Sequence, residues 1–265
     1  MSSSLREVLD DLAAYLRHCA EEGRPSFELD ADAACLIKPW LSGRRCAVAG
    51  AKRASAPAHA AADSGDAPAQ LRAIAAEIES CSKCPLHSTR TRTVPGQGPS
   101  ACELMFIGEG PGEEEDREGL PFVGAAGQLL TRMIEAMGLN RGQVFIANIV
   151  KCRPPHNRVP LPDEMAACLP FLHRQIRAIR PRVMVTLGAT ATRGLLGIEA
   201  GITHVRGRWQ QWEGIPVMPT FHPSYLLRSP SQKKYAWEDL KEVLRLLGKP
   251  IPSAGGPAAG SNGPA

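Results

Sequence analysis

The chain has 265 residues, is 43% hydrophobic and carries a net charge of +4 at pH 7. It holds no apolar run of about 18 residues, the length a membrane-spanning helix needs, and it does not open on the charged-then-apolar pattern of a secretory signal. This excludes the helical membrane class and predicts a cytoplasmic protein whose cysteines stay reduced or bind metal. The mild basicity is compatible with a nucleic-acid partner without requiring one.

Residues 5–22 place Leu5, Val8, Leu9, Leu12 and Leu16 at helical spacing, which predicts an amphipathic helix within a helical extension over residues 1–46. Residues 47–70 are rich in Ala, Ser, Pro and Gly and read as a flexible linker. Residues 249–265 read as a disordered tail for the same reason. Between them, residues 71–248 alternate strand and helix. LRAIAAEIES (71–80) is a predicted helix, and ELMFIG (103–108) a short apolar strand ending in glycine. A helix over 124–139 stops at Gly138, and VFIANIV (144–150) is a buried strand. A helix over 163–180 follows Pro162, with Asp163 as its expected cap. VMVTLG (183–188) is a strand and ATATRGLL a short helix. RWQQW and IPVMPTF pair around Glu213-Gly214, and a last helix spans 231–248. The alternation predicts an α/β fold with a mostly parallel sheet covered on both faces. Ligands of such sheets bind beyond the C-terminal strand ends, so the informative loops follow Ile107, Val150 and Phe221.

The first of these loops carries an internal conflict. Gly108, Gly110, Pro111 and Gly112 resemble a phosphate-cradling turn, yet residues 108–124 hold six carboxylates: Glu109, Glu113, Glu114, Glu115, Asp116 and Glu118. An anion site does not surround its ligand with anions. Of eight cysteines, Cys81 and Cys84 have a local metal-ligand spacing, and Cys152 and Cys168 lie downstream. Four thiolates suit zinc or an iron–sulfur cluster; the alternatives are a redox-active CxxC or buried core thiols. Cys19, Cys35, Cys46 and Cys102 read as ordinary thiols. His222 follows the last apolar strand, where it serves either as a donor to a developing anion or as a capping or core residue. Leu226, Leu227 and Arg228 suit a wedge entering a base stack with a cation on phosphate, or else two packed leucines and a solvated arginine.

Taken together, CSKCP (81–85), GEGPGEEEDREGLPFVGAAGQLL (108–130), NIVKCRPPHNRVP (148–160), Cys168 and HPSYLLR (222–228) resemble family four, the iron–sulfur type, of the uracil-DNA glycosylase superfamily. The resemblance covers about residues 71–248. It implies a three-layer α/β/α sandwich, a [4Fe-4S] cluster on Cys81, Cys84, Cys152 and Cys168, and a monomer acting on uracil-containing DNA, single- or double-stranded. The implied reaction hydrolyses the N-glycosidic bond of deoxyuridine and leaves an abasic site, with the base extruded into a pocket.

The resemblance also implies roles. His222 is the expected donor to uracil O2. Gly108 and Gly110 let backbone approach the base. Glu109 and Glu115 are the carboxylates expected to orient water or stabilise the sugar cation. Phe122 stacks on the flipped base, and the Asn148 amide matches uracil O4 and N3–H while rejecting cytosine. The GQDPYH family has Asp where this chain has Gly110, and Tyr where it has Gly112; Glu115 is the expected replacement at the uracil C5 edge. Glu113, Glu114, Asp116 and Glu118 read as a solvated acidic face. Arg153, Arg158, Arg206, Arg208, Arg228, Lys233 and Lys234 are candidate phosphate contacts. Two other readings are a non-catalytic DNA-binding relative and a damage-trapping relative that would use His156. CRPPHNRVP lacks the trapping branch's KRRIH-type insertion.

Overall fold

A strand buried at every position needs cover on both faces, and three strands of this protein are of that kind. The computed structural model describes residues 66–252. The predicted helix over 5–22, most of the 47–70 linker and the tail beyond Pro252 lie outside the described residues. Strands β1 (Leu104–Gly108), β2 (Phe145–Asn148) and β3 (Val183–Leu187) are buried throughout, and β5 (Ile215–Thr220) is buried over its last four residues. With β4 (Gln210–Trp212) they form one sheet in the order β2-β1-β3-β5-β4. All neighbours are parallel except β4, which pairs antiparallel with β5 through the Glu213-Gly214 turn. Both turn residues have positive φ, +46° and +79°, the conformation that matches strand twist in a two-residue hairpin.

Successive side chains of the strands point to opposite faces. Met105, Ile107, Phe145, Ala147, Met184 and Val217 pack with α1 (Ala67–Glu79), α4 (Pro162–Ile179) and α5 (Gly188–Leu196). Leu104, Phe106, Ile146, Val183, Val185, Leu187 and Met218 pack with α3 (Ala125–Ala136) and α8 (Lys233–Leu247). The α/β sandwich expected from the alternation is therefore present. The outer edge of β2 is closed by Gln97, which exchanges two backbone hydrogen bonds with Ile146, so no long open edge remains on that side.

Several boundaries differ from expectation. α1 begins at Ala67, inside the predicted linker, because Pro68 is preorganised for a first helical turn. Asp163 does not cap α4. The N-cap is Leu161, whose N–H donates to Glu164 Oε2 at 2.7 Å. Three short helices were not expected: α2 (Glu113–Glu118), α6 (Ile202–Val205) and α7 (Pro223–Arg228). α7 carries Leu226, Leu227 and Arg228. Its helical turn directs Leu226 into a cluster with Leu129, Phe221 and Ala236, leaving it 1% exposed.

On α3, a Cβ at Gly127 would overlap the Phe122 carbonyl. Helix propensity alone would favour Gly127→Ala by about 1 kcal/mol. Overpacking reverses the sign, and the substitution is expected to destabilise by about 2 kcal/mol, read as a lower urea midpoint at unchanged slope.

Candidate active site

The chain runs from β1 outward to β2, then crosses to β3 on the far side of β1. That reversal opens a crevice at the C-terminal strand ends. A cavity of about 480 Å³ occupies it, lined by Glu109–Gly112 after β1, Asn148 at the end of β2, Leu187–Thr190 after β3 and His222 after β5. Glu115, Phe122, Asn157, Arg158, Tyr225 and Arg228 also line it. The structure thus gathers Glu109, Gly110, Glu115, Phe122, Asn148, His222 and Arg228 around one space.

The glycine-and-acid loop resolves into a helix start. α2 opens at Gly112 with Glu113, Glu114, Glu115 and Asp116 in its first turn, where carboxylates meet the positive end of the helix dipole. Glu115 Oε2 accepts from Gly112 N–H at 3.0 Å, and Oε1 accepts from Val123 and Gly124 N–H, both at 2.9 Å. Both oxygens thus accept from the backbone, which fixes the carboxylate in the cavity wall. Asp116 is also not solvated: it is 3% exposed and accepts from the N–H groups of Thr91 and Arg92. Glu109 lines the cavity with no hydrogen-bond or ion-pair partner for its carboxylate among the described residues.

The clamp shapes Phe122, whose φ is +53°. A left-handed backbone on a bulky residue is strained and persists only when its surroundings hold it. Here Glu115 grips the N–H groups after Phe122, and Arg141 donates to the Pro121 carbonyl before it. Gly108 has a role other than the one expected. A Cβ there would overlap both the Asn148 Oδ1 and the Phe122 ring, so its bare Cα lets those side chains cross the end of β1.

Asn148 is 1% exposed, and its Oδ1 is buried without a hydrogen-bond partner. Such an atom carries a desolvation cost of about 1–3 kcal/mol until a ligand supplies a donor. His222 sits beside Phe122 with ring centroids 5.8 Å apart. Its Nδ1 accepts from Ser224 N–H at 3.1 Å and meets Ser224 Oγ at 2.7 Å, so the proton of the neutral ring is on Nε2. Burial, helped by the Arg228 charge and opposed by Glu115, pushes the imidazole down to about 4. His222 is therefore a neutral donor across physiological pH.

At the rim, Leu227 is 40% exposed while Leu226 is buried, so only one of the two leucines stands at the surface. Several of the expected phosphate contacts are engaged internally. Arg158 pairs with Glu164 at 2.6 and 2.8 Å, Arg206 with Asp239, and Arg153 with Glu113. Arg208, Arg228, Lys233 and Lys234 have no carboxylate partner among the described residues. His156 is exposed and does not line the cavity.

A second pocket, on the face beneath α1 and α4, is lined by Cys81, Cys84, Cys152 and Cys168. These residues are far apart in sequence, and the fold brings all four together as free thiols. Arg90 donates to Cys152 Sγ at 3.2 Å and Lys151 N–H to Cys168 Sγ at 3.3 Å. Burial pushes the thiols of Cys84, Cys152 and Cys168 up, the last to about 11. Arg90, Arg141 and the buried Lys151 escaped the sequence reading, since a long cation is expected at the surface.

The fold and the cavity define an α/β protein with a strand-end cavity bounded by an aromatic wall, an amide and a neutral imidazole. Residues 95–241 match the uracil DNA glycosylase superfamily. The chain is 49% identical over 185 residues to the type-4 uracil-DNA glycosylase of Sulfurisphaera tokodaii, covering 66% of this chain and 84% of that one. It is 46% identical over 183 residues to the type-4 uracil-DNA glycosylase of Thermotoga maritima, covering 68% and 95%. A type-5 uracil-DNA glycosylase of Pyrobaculum aerophilum is 32% identical over 171 residues, covering 58% and 74%. The chain belongs to the uracil DNA glycosylase superfamily, in its type-4 family.

The site predicts an unusual titration. An unfolded imidazole takes its proton near 6.5, but folded His222 does so only near 4. The His222 resonance, assigned by its loss in His222→Gln, should show an NMR midpoint near 4; a midpoint at 6.5 would contradict the burial argument. Between those values the unfolded chain binds the extra proton, so stability falls as pH falls through that window. His222→Gln should flatten this slope.

Proposed function

We propose that this protein is a DNA-repair hydrolase that extrudes uracil from DNA into the cavity and cleaves its N-glycosidic bond, leaving an abasic site. The observation that carries this reading is the unpartnered Asn148 Oδ1, buried at the edge of the same cavity that holds the Nε2–H of a neutral His222. Uracil offers N3–H to Oδ1 and O4 to the amide nitrogen, whereas cytosine presents the opposite pattern and leaves buried groups unpaired. Phe122 supplies the stacking wall, worth about 1–3 kcal/mol per base.

Cleavage leaves negative charge on the base and positive charge on the sugar. Nε2–H of His222 donates to uracil O2 as its charge grows, an oxyanion-type contact. Glu109, with no partner among the described residues, faces the sugar cation or orients water. Glu115 serves as the clamp behind Phe122 and as part of the cavity wall, where it remains the candidate for the C5 edge. Leu227 and Arg228 form the rim that meets the DNA. Trapping through His156 is not favoured, because that side chain does not line the cavity.

The four thiols line one pocket, and a set of four thiolates is what an iron–sulfur cluster requires. Cys81, Cys84, Cys152 and Cys168 would hold it, and it would cross-link the segment after α1, the loop after β2 and α4.

The test is a glycosylase assay on oligonucleotides with uracil opposite G, opposite A or unpaired, followed by alkali. Strand breaks support the reading; no break, or a stable protein–DNA adduct, overturns it. His222→Ala and Glu109→Ala are each expected to lower kcat by about 10²–10³. Purified protein should contain iron and acid-labile sulfide in equal amounts, and Cys168→Ala should lose both together with thermal stability.

A further inference from the structure

Lys151 lines the thiol pocket with Cys152 and Cys168, and its side chain is almost fully buried, at 1% exposure. Its Nζ donates to the backbone carbonyl of Asn148 at 2.9 Å and to Gln175 Oε1 at 2.8 Å. Gln175, 2% exposed on α4, donates in turn to the Pro95 carbonyl at 2.8 Å. The Lys151 carbonyl accepts from Val94 N–H at 2.8 Å. Both oxygens that receive the ammonium belong to neutral groups. An ammonium costs more to bury than an apolar side chain of the same length, so filling space does not account for it; the thiol pocket it lines offers charge, and the two hydrogen bonds fix where the ammonium points.

What a methionine there would not do is fix the Asn148 carbonyl. That carbonyl stands where the β1–β2 ladder has its last pair, Gly108 with Asn148. We propose that Lys151 is a positioning residue for base recognition: by holding the Asn148 carbonyl it sets the peptide plane from which the carboxamide enters the cavity. The inference rests on the reading of Asn148 as the uracil-recognising residue. The tolerance at that place is small, since the carboxamide and the Phe122 ring together fill the space a Cβ on Gly108 would take. Rotation of the Asn148 peptide misaligns both amide contacts, and hydrogen bonds weaken steeply with angle. Gln175 extends the support to α4, where Cys168 lies two turns away on the same helix.

The test uses the full chain with Lys151→Met, Gln175→Leu and Asn148→Ala. Affinity is measured for an oligonucleotide carrying a non-cleavable 2′-fluoro-deoxyuridine and for the same oligonucleotide carrying an abasic analogue, alongside iron content and thermal midpoint. Lys151→Met and Gln175→Leu are expected to weaken uracil binding about tenfold while abasic binding and iron content stay at wild type, as for Asn148→Ala. A purely structural role would lower both affinities together and overturn the proposal. If Asn148→Ala loses selectivity and the other two keep it, the positioning role is wrong and the reading of Asn148 stands. If Asn148→Ala keeps selectivity, that reading falls and the positioning role with it. Should Lys151→Met fail to fold or to hold iron, Gln175→Leu, which leaves the ammonium and its bond to Asn148 O in place with one support fewer, decides by the same criteria.

Discussion

The grip of one carboxylate on three backbone N–H groups underlies the shape of the cavity. Glu115 joins the start of α2 to the segment after Phe122, and that segment holds a bulky residue at positive φ. Left to itself such a residue relaxes, since the conformation costs on the order of 1–3 kcal/mol. Glu115 on one side, Arg141 on the other and the missing side chain of Gly127 beneath leave it no room to do so. The stacking wall, the space over Gly108 and hence the placement of the Asn148 amide all follow from this clamp.

The same arrangement explains how an acid-rich loop can border a site for a polyanion. Most of the acid is answered locally. Glu114 and Glu118 pair with Arg117, Glu113 with Arg153, and Asp116 with backbone N–H groups. Exposed pairs of this kind add little stability, but they remove net charge from the approach to the cavity. Glu109 is the carboxylate of this loop left without a partner among the described residues, and it lines the crevice.

The sheet, its parallel order and the strand-end positions of Asn148 and His222 were legible because apolar runs bounded by Gly, Pro and Asn carry a strong local signal. The hairpin at Glu213-Gly214 was legible for the same reason. α2 was not, since EEEDRE contains no apolar residue and so shows no helical period at all. The turn that buries Leu226 was not legible because PSYLLR is too short to show a helical period, although Pro in a first helical turn is a helix-start signal. Burial of Asp116 and Lys151 was beyond reach: Asp116 is held by backbone groups 24 and 25 residues away and Lys151 by a glutamine 24 residues away, and charge predicts exposure. The four thiols were grouped by motif, but only the fold places them on one pocket.

On the proposed reading, the burial that keeps His222 neutral matters as much as its position. A protonated imidazole in this cavity would draw Glu109 or Glu115 toward itself in the resting enzyme, since opposite charges about 4 Å apart attract by several kcal/mol away from bulk water. The carboxylate meant for the sugar cation would then be engaged before the reaction began, and the clamp behind Phe122 would be pulled on. A neutral ring, oriented through Nδ1 by Ser224, leaves both carboxylates where they are and still offers Nε2–H when charge appears on the base. The site therefore separates its charges in advance, with a neutral donor toward the leaving base and an unpaired anion toward the sugar. A single extruded base requires that division, because the two charges develop at opposite ends of one breaking bond.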